Sequence, residues 1–163
     1  MLPDSGLGGL WLPKVSATVT INAAPADVWA VLCDLDRYPE WYPYILKATG
    51  EIQPGGQVAF TEAAYRGGTG IFRYSVTAAR PGTELRLRPL RSVVSIERRF
   101  TLSPIDSGGQ TKVVYSHIFR GLMMPMYWVG LGWLPRPSDP TRILVRNTAQ
   151  ALKQRAEHDP GTT

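Results

Sequence analysis

Five side chains carry the most reactive chemistry in this 163-residue sequence: Glu62, Tyr74, Arg98, Tyr115 and His117. Each sits in a stretch that alternates apolar and polar residues, so its direction follows from its neighbours two positions away. If Val58 and Phe60 point inward, so does Glu62; if Phe72 and Val76 do, so does Tyr74. Phe100 and Leu102 carry Arg98 with them, and Val113 and Phe119 carry Tyr115 and His117. A charge on an inward face is costly when unpaired. Glu62 and Arg98 therefore either satisfy one another as a buried pair or serve a bound molecule. In the second case Arg98 anchors a carbonyl or enolate oxygen, while His117 or Tyr115, with Glu62, transfers a proton. Phe60, Phe72 and Phe100 supply apolar walls around that set.

Other chemistries lack their residues. Two histidines, His117 and His158, and one cysteine, Cys33, lie far apart with no HExxH or CxxC spacing, so no metal site is expected. Cys33 reads as a small core residue of a helix rather than a nucleophile. No GxSxG elbow supports a serine triad. The run GGTG at 67–70 lacks phosphate-loop spacing and a following helix, and reads as a turn. No cofactor is expected.

The elements that must hold these residues are legible in order. VSATVTI at 15–21 alternates strictly and forms a half-buried first strand. Pro25 opens a helix with Asp27 in its first turn and Val28, Val31, Leu32 and Leu35 on one stripe. Pro39 is expected to stop it, and YPEWYPY at 38–44 to add one short helical turn before Pro43. Strands are expected over 45–52, 58–65, 71–79, 84–90, 93–102 and 111–119, joined by PGG, RGGTG, RPG and DSGG turns. With the first strand this makes seven, and the tight turns make the sheet antiparallel. Asp139 is placed to cap, and Pro140 to open, a helix over about 140–157 with Ile143, Leu144, Asn147, Thr148, Ala151 and Leu152 on one face. Between them, 121–138 is apolar but broken by glycine and proline. Its Met124 and Trp128 belong either to core under a loop or to an adaptable lid or portal, and a membrane-touching patch is a third reading. Residues 1–14 are expected to be a flexible segment, 15–157 one domain, and 158–163 a frayed tail.

The ordered set APADVWAVLCDLDRYPEW, six further strands and a terminal helix containing LKQRAE resembles the START-like (SRPBCC) superfamily, which includes the polyketide cyclase/dehydrase and lipid-transport family and the plant pollen allergens. The resemblance covers about residues 15–157 and is sharpest from Ala24 to Trp41. It implies an α+β helix-grip fold: a seven-stranded antiparallel sheet wrapped around a long C-terminal helix, with two short helices between strands one and two. It also implies a hydrophobic cavity between sheet and helix. Members carry lipids, bind hormones or coenzyme Q, or cyclise and dehydrate polyketides, some with cavity Arg and Tyr side chains. For this chain the resemblance implies a cofactor-independent cyclase or dehydratase with Arg98, His117, Tyr115 and Glu62 as catalytic groups. The alternative is a non-catalytic carrier of a lipid, quinone or isoprenoid, and an interaction module ranks third. Tyr74, Trp41, Tyr42, Phe60, Phe72, Phe100, Met124, Trp128 and Asn147 are the expected ligand contacts, Trp41 also plugging one end of the cavity.

Composition narrows the partners. With 44% hydrophobic and 19% charged residues, the chain is of ordinary globular type. No stretch reaches the ~20 apolar residues of a membrane span, and the N-terminal residues lack the basic start and apolar run of a secretory signal, so a cytoplasmic location is expected. The net charge of +5 would permit nucleic-acid binding, yet only Lys14, Lys47, Lys112 and Lys153 of the eighteen basic residues are lysines and no nucleic-acid motif is present. The arginine runs at 86–91 and 97–99 read as a solvated sheet face. A hydrophobic small molecule is the expected partner, with transient membrane contact allowed and monomer or homodimer left open.

Overall fold

The structure is a computed structural model that describes residues 14–63, 67–90, 95–120 and 140–158. Strand β1 (Lys14–Ile21) leads to α1 (Pro25–Cys33), a 3₁₀ turn (Leu35–Arg37) and α2 (Tyr38–Trp41). Strands β2 (Ile45–Gly50), β3 (Gln57–Ala63), β4 (Thr69–Arg80), β5 (Glu84–Pro89), β6 (Ser95–Ile105) and β7 (Gln110–Arg120) follow, then α3 (Pro140–His158). The seven strands form one antiparallel sheet in the order β1-β7-β6-β5-β4-β3-β2. The α+β architecture, with short helices between the first two strands and a long terminal helix, is the one expected.

The expected strand directions hold. Val58, Phe60, Tyr74, Val76, Leu87, Phe100, Leu102, Val113 and Tyr115 are all buried on the sheet's inner face. α3 packs against β1, β7 and α1 and closes that face on one side. Its buried stripe is Val145, Thr148, Ala149, Leu152 and Ala156, spaced three and four apart as a one-sided helix requires. This corrects the sequence-based face by about one residue. Small Ala149 and Ala156 let the helix approach the sheet closely, which turns Ile143 and Asn147 outward. Asp139 lies outside the described residues.

The first helix ends earlier than expected. Asp34 leaves the helical region at φ −82°, ψ 79°, and Pro39 falls inside the first turn of α2, where its missing N–H costs nothing. Pro39 thus opens the second helix instead of stopping the first. Tyr38, Trp41 and Tyr42 are buried against one another and against Phe60, while Tyr44 takes a left-handed φ of 67° and is exposed. The chain turns there into β2.

On the outer face the arginines are not simply solvated. Glu97 is fully buried beneath Arg120, Arg99, Arg88 and Arg86, at 3.0, 3.2, 3.3 and 3.7 Å. The parity of β6 assigns Glu97 to the outer face, and long arginine stems cover it there.

Candidate functional site

β6 and β7 are hydrogen-bonded neighbours, and their register sets Arg98 directly opposite His117 and Phe100 opposite Tyr115. Two pairs of inward side chains therefore lie side by side. Phe100 and Tyr115 stack with ring centres 4.3 Å apart, a rigid aromatic base for the polar pair above.

Arg98 is buried, and its Nη2 donates to Glu62 Oε1 at 2.6 Å. The plainer expectation, a Glu62–Arg98 pair, is what the structure contains. The guanidinium also lies 4.9, 5.5 and 5.9 Å from the ring centres of Tyr74, Phe60 and Tyr42, so aromatic faces surround the cation. Its positive charge lies close enough to the hydroxyls of Tyr42 and Tyr74 to oppose part of the upward shift that burial imposes on them. From Tyr42 the network continues: its hydroxyl lies 2.6 Å from that of Tyr115, which lies 2.6 Å from His117 Nε2.

Burial controls the protonation of these groups. Desolvation raises the hydroxyls of Tyr42, Tyr74 and Tyr115 above the ordinary tyrosine value, Tyr74 to about 12. Burial, seconded by the nearby Arg98 charge, lowers His117 to about 3. At neutral pH the imidazole and the phenols are neutral, beside the 2.6 Å contact of Arg98 with Glu62.

A cavity of about 840 Å³ borders this network, lined by Glu62, Phe72, Tyr74, Arg98 and His117 together with Ile71, Arg73, Pro89, Leu90, Ile96, Thr141 and Leu144. Its volume suits a polycyclic or long-chain organic molecule. Of the expected site residues, Glu62, Arg98, His117, Tyr74 and Phe72 therefore reach it. Phe72, half exposed, stands at the mouth. Tyr115, Tyr42, Phe60, Phe100 and Trp41 are absent from its lining and form the packed layer underneath. Asn147 is exposed and is withdrawn as a ligand contact, because the helix turns its Val145–Thr148–Leu152 side to the sheet. Met124 and Trp128 lie outside the described residues. Sequence reasoning passed over Ile96, two residues before Arg98 and so on its face, and Leu144, one helical turn from Thr141. Among the described residues no group of His, Cys, Asp and Glu could hold a metal ion, and no helix is long and apolar enough to cross a membrane.

This arrangement, a sheet gripping a helix over a partly polar cavity, is a helix-grip fold, and comparison names the family. The profile described as polyketide cyclase / dehydrase and lipid transport matches residues 13–157, and the chain belongs to that family. Among solved structures it is similar to a START superfamily protein from Mycobacterium smegmatis, at 20% identity and TM-score 0.64 over 88% of this chain and 97% of the other. It also resembles the di-domain ARO/CYC StfQ of the steffimycin biosynthetic pathway, at 14% identity and TM-score 0.63 over 91% of this chain and 50% of StfQ. Ara h 8.0201 aligns at 19% identity and TM-score 0.60 over 90% and 95% of the two chains. The search of curated protein sequences returns no match.

Proposed function

We propose that this protein is a cofactor-independent cyclase or dehydratase for a hydrophobic, polyketide-like poly-carbonyl molecule held in the cavity. The observation that carries the reading is the polar wall made by Arg98, His117 and Glu62 in an otherwise largely apolar cavity. A passive carrier of an apolar molecule has no use for a buried cation and a neutral imidazole side by side. Arg98 stabilises the negative charge that develops on a carbonyl oxygen as an enolate forms. Glu62, the only carboxylate among the described lining residues, removes the proton alpha to that carbonyl. The carbanion then attacks a second carbonyl of the folded chain, forming a carbon–carbon bond. The new alkoxide takes a proton back, and loss of water follows. Enclosure brings the two carbonyls together and supplies much of the rate.

The test is incubation with a synthetic aromatic poly-β-ketone, read by mass spectrometry as loss of one water per molecule. Arg98→Lys and Glu62→Gln should lower that rate at least about a hundredfold while circular dichroism stays native. Undiminished turnover in both variants would overturn the assignment. The carrier reading is favoured by one feature, the apolar rim of Ile71, Phe72 and Leu90 exposed beside the cavity. Native mass spectrometry of freshly purified protein would then show a co-purifying lipid, quinone or isoprenoid, with no chemical conversion of it.

A further inference from the structure

The hydroxyls of Tyr42 and Tyr115 and the ring of His117 form a wire whose direction can be deduced. A hydroxyl has one proton to give. If Tyr115 accepted from both neighbours its own proton would be stranded in the buried layer, so two orders remain: Tyr42 donates to Tyr115 and Tyr115 to His117 Nε2, or His117 Nε2–H donates to Tyr115 and Tyr115 to Tyr42. In the second order the Tyr42 proton is left without a partner near the Arg98 guanidinium, whose carbon lies 5.9 Å from the Tyr42 ring centre and which has N–H donors and no acceptor. That sets donor against donor in a buried place, where an unmade hydrogen bond is expensive. In the first order the Tyr42 oxygen keeps its lone pairs for the nearby Arg98 charge, the lone pair of Tyr115 meets Tyr42, and the lone pair of Nε2 meets Tyr115. One group is left over, the proton on His117 Nδ1. That nitrogen has no hydrogen-bond partner among the described residues and almost no accessible surface, in a ring whose edge reaches the cavity wall, so an oxygen reaches it by pressing into that wall.

We propose that Arg98, acting through Tyr42 and Tyr115, fixes His117 as the neutral Nδ1–H tautomer, and that this N–H is a specificity group that recognises an acceptor oxygen, a ketone or enolate, on the bound molecule. The inference rests on the ligand-binding reading of the cavity and adds the chemistry of the ligand. It also changes the expected role of His117: with its lone pair committed to Tyr115 and its basicity lowered by burial, the ring donates a hydrogen bond and carries no proton away. Arg98, opposite it in the register, supplies a second donor to the same wall. Two donors on one wall select a molecule rich in carbonyls over a plain hydrocarbon of equal size.

The tautomer is read in the unliganded wild-type protein by long-range proton–nitrogen correlation of 15N-labelled histidine, with His158→Gln separating the two rings. The expected pattern is a protonated Nδ1 and an unprotonated Nε2 for His117 from pH 7 down to pH 5. A protonated Nε2, or an imidazolium at pH 6, overturns the proposal. Tyr115→Phe should convert the single tautomer into a mixture, and a pattern unmoved by that change counts against the wire. Ligand class is tested with fluorenone and fluorene, which differ by one oxygen. Fluorenone should bind about tenfold more tightly to the wild type, and that ratio should fall severalfold in His117→Leu. An unchanged ratio overturns the recognition role. Because the tautomer is measured with the cavity empty, its outcome is independent of whether the protein is an enzyme or a carrier.

Discussion

His117 ties stability to pH. Its folded-state value of about 3 lies below the ordinary value of 6.5, so between those limits the unfolded chain binds the proton and the folded chain does not. Stability from this residue is complete above pH 6.5 and is lost as pH falls toward 3. Acidification from pH 7 to pH 5 should cost about 2 kcal/mol through this group alone, and His117→Gln should flatten that part of the profile. Urea midpoints of the two proteins at both pH values check this. Arg98 makes the complementary case. Arg98→Met leaves Glu62 without its cation and should destabilise by about 3 kcal/mol, whereas adding Glu62→Gln removes the stranded charge and should recover more than ~1 kcal/mol. Additive losses in that cycle would show that the pair is not coupled.

Among the elements, β2 has the narrowest tolerance. Gly50 closes it at a φ of +120°, and a Cβ there would lie 2.1 Å from the carbonyl oxygen of Gln57 on β3. Gly50→Ala should cost about 3 kcal/mol, from left-handed strain plus the clash, measurable by denaturant unfolding. The seven strands were readable because one face is buried, so alternation and turn residues carried the signal. Arg98 and His117 were readable for the same reason, being two and four residues from buried neighbours on uninterrupted strands. Helical positions were harder to read. Ile143, Leu144, Val145 and Ala149 are all apolar, so their stripe can be drawn through either side, and only packing against β1 and β7 decides. Asn147 was misassigned on that account. Glu97 was hidden for another reason: a carboxylate on an outer strand position looks solvated until the reach of four arginine side chains is known.

At the scale of the molecule, the cavity lies between β3–β7 and the first turns of α3. A molecule that enters it should stabilise the fold by mass action with little change in compactness. Fluorenone at a hundred times its dissociation constant should add about 2.7 kcal/mol while leaving the urea m-value unchanged. No rise in the urea midpoint at that occupancy would show that the site binding it is not part of the folded state.

Three polar ties hold the C-terminal half of α3. Lys153 donates to the Thr20 carbonyl at 2.6 Å, the Asn22 N–H donates to Glu157 at 2.7 Å, and Arg155 pairs with Glu40 at 3.0 Å, while Thr141 and Leu144 at the near end border the cavity. These ties fasten the helix to the end of β1 and to α2, and its first turns form part of the cavity wall. The cavity therefore shares its wall with a helix whose other half, around Leu152 and Ala156, belongs to the core.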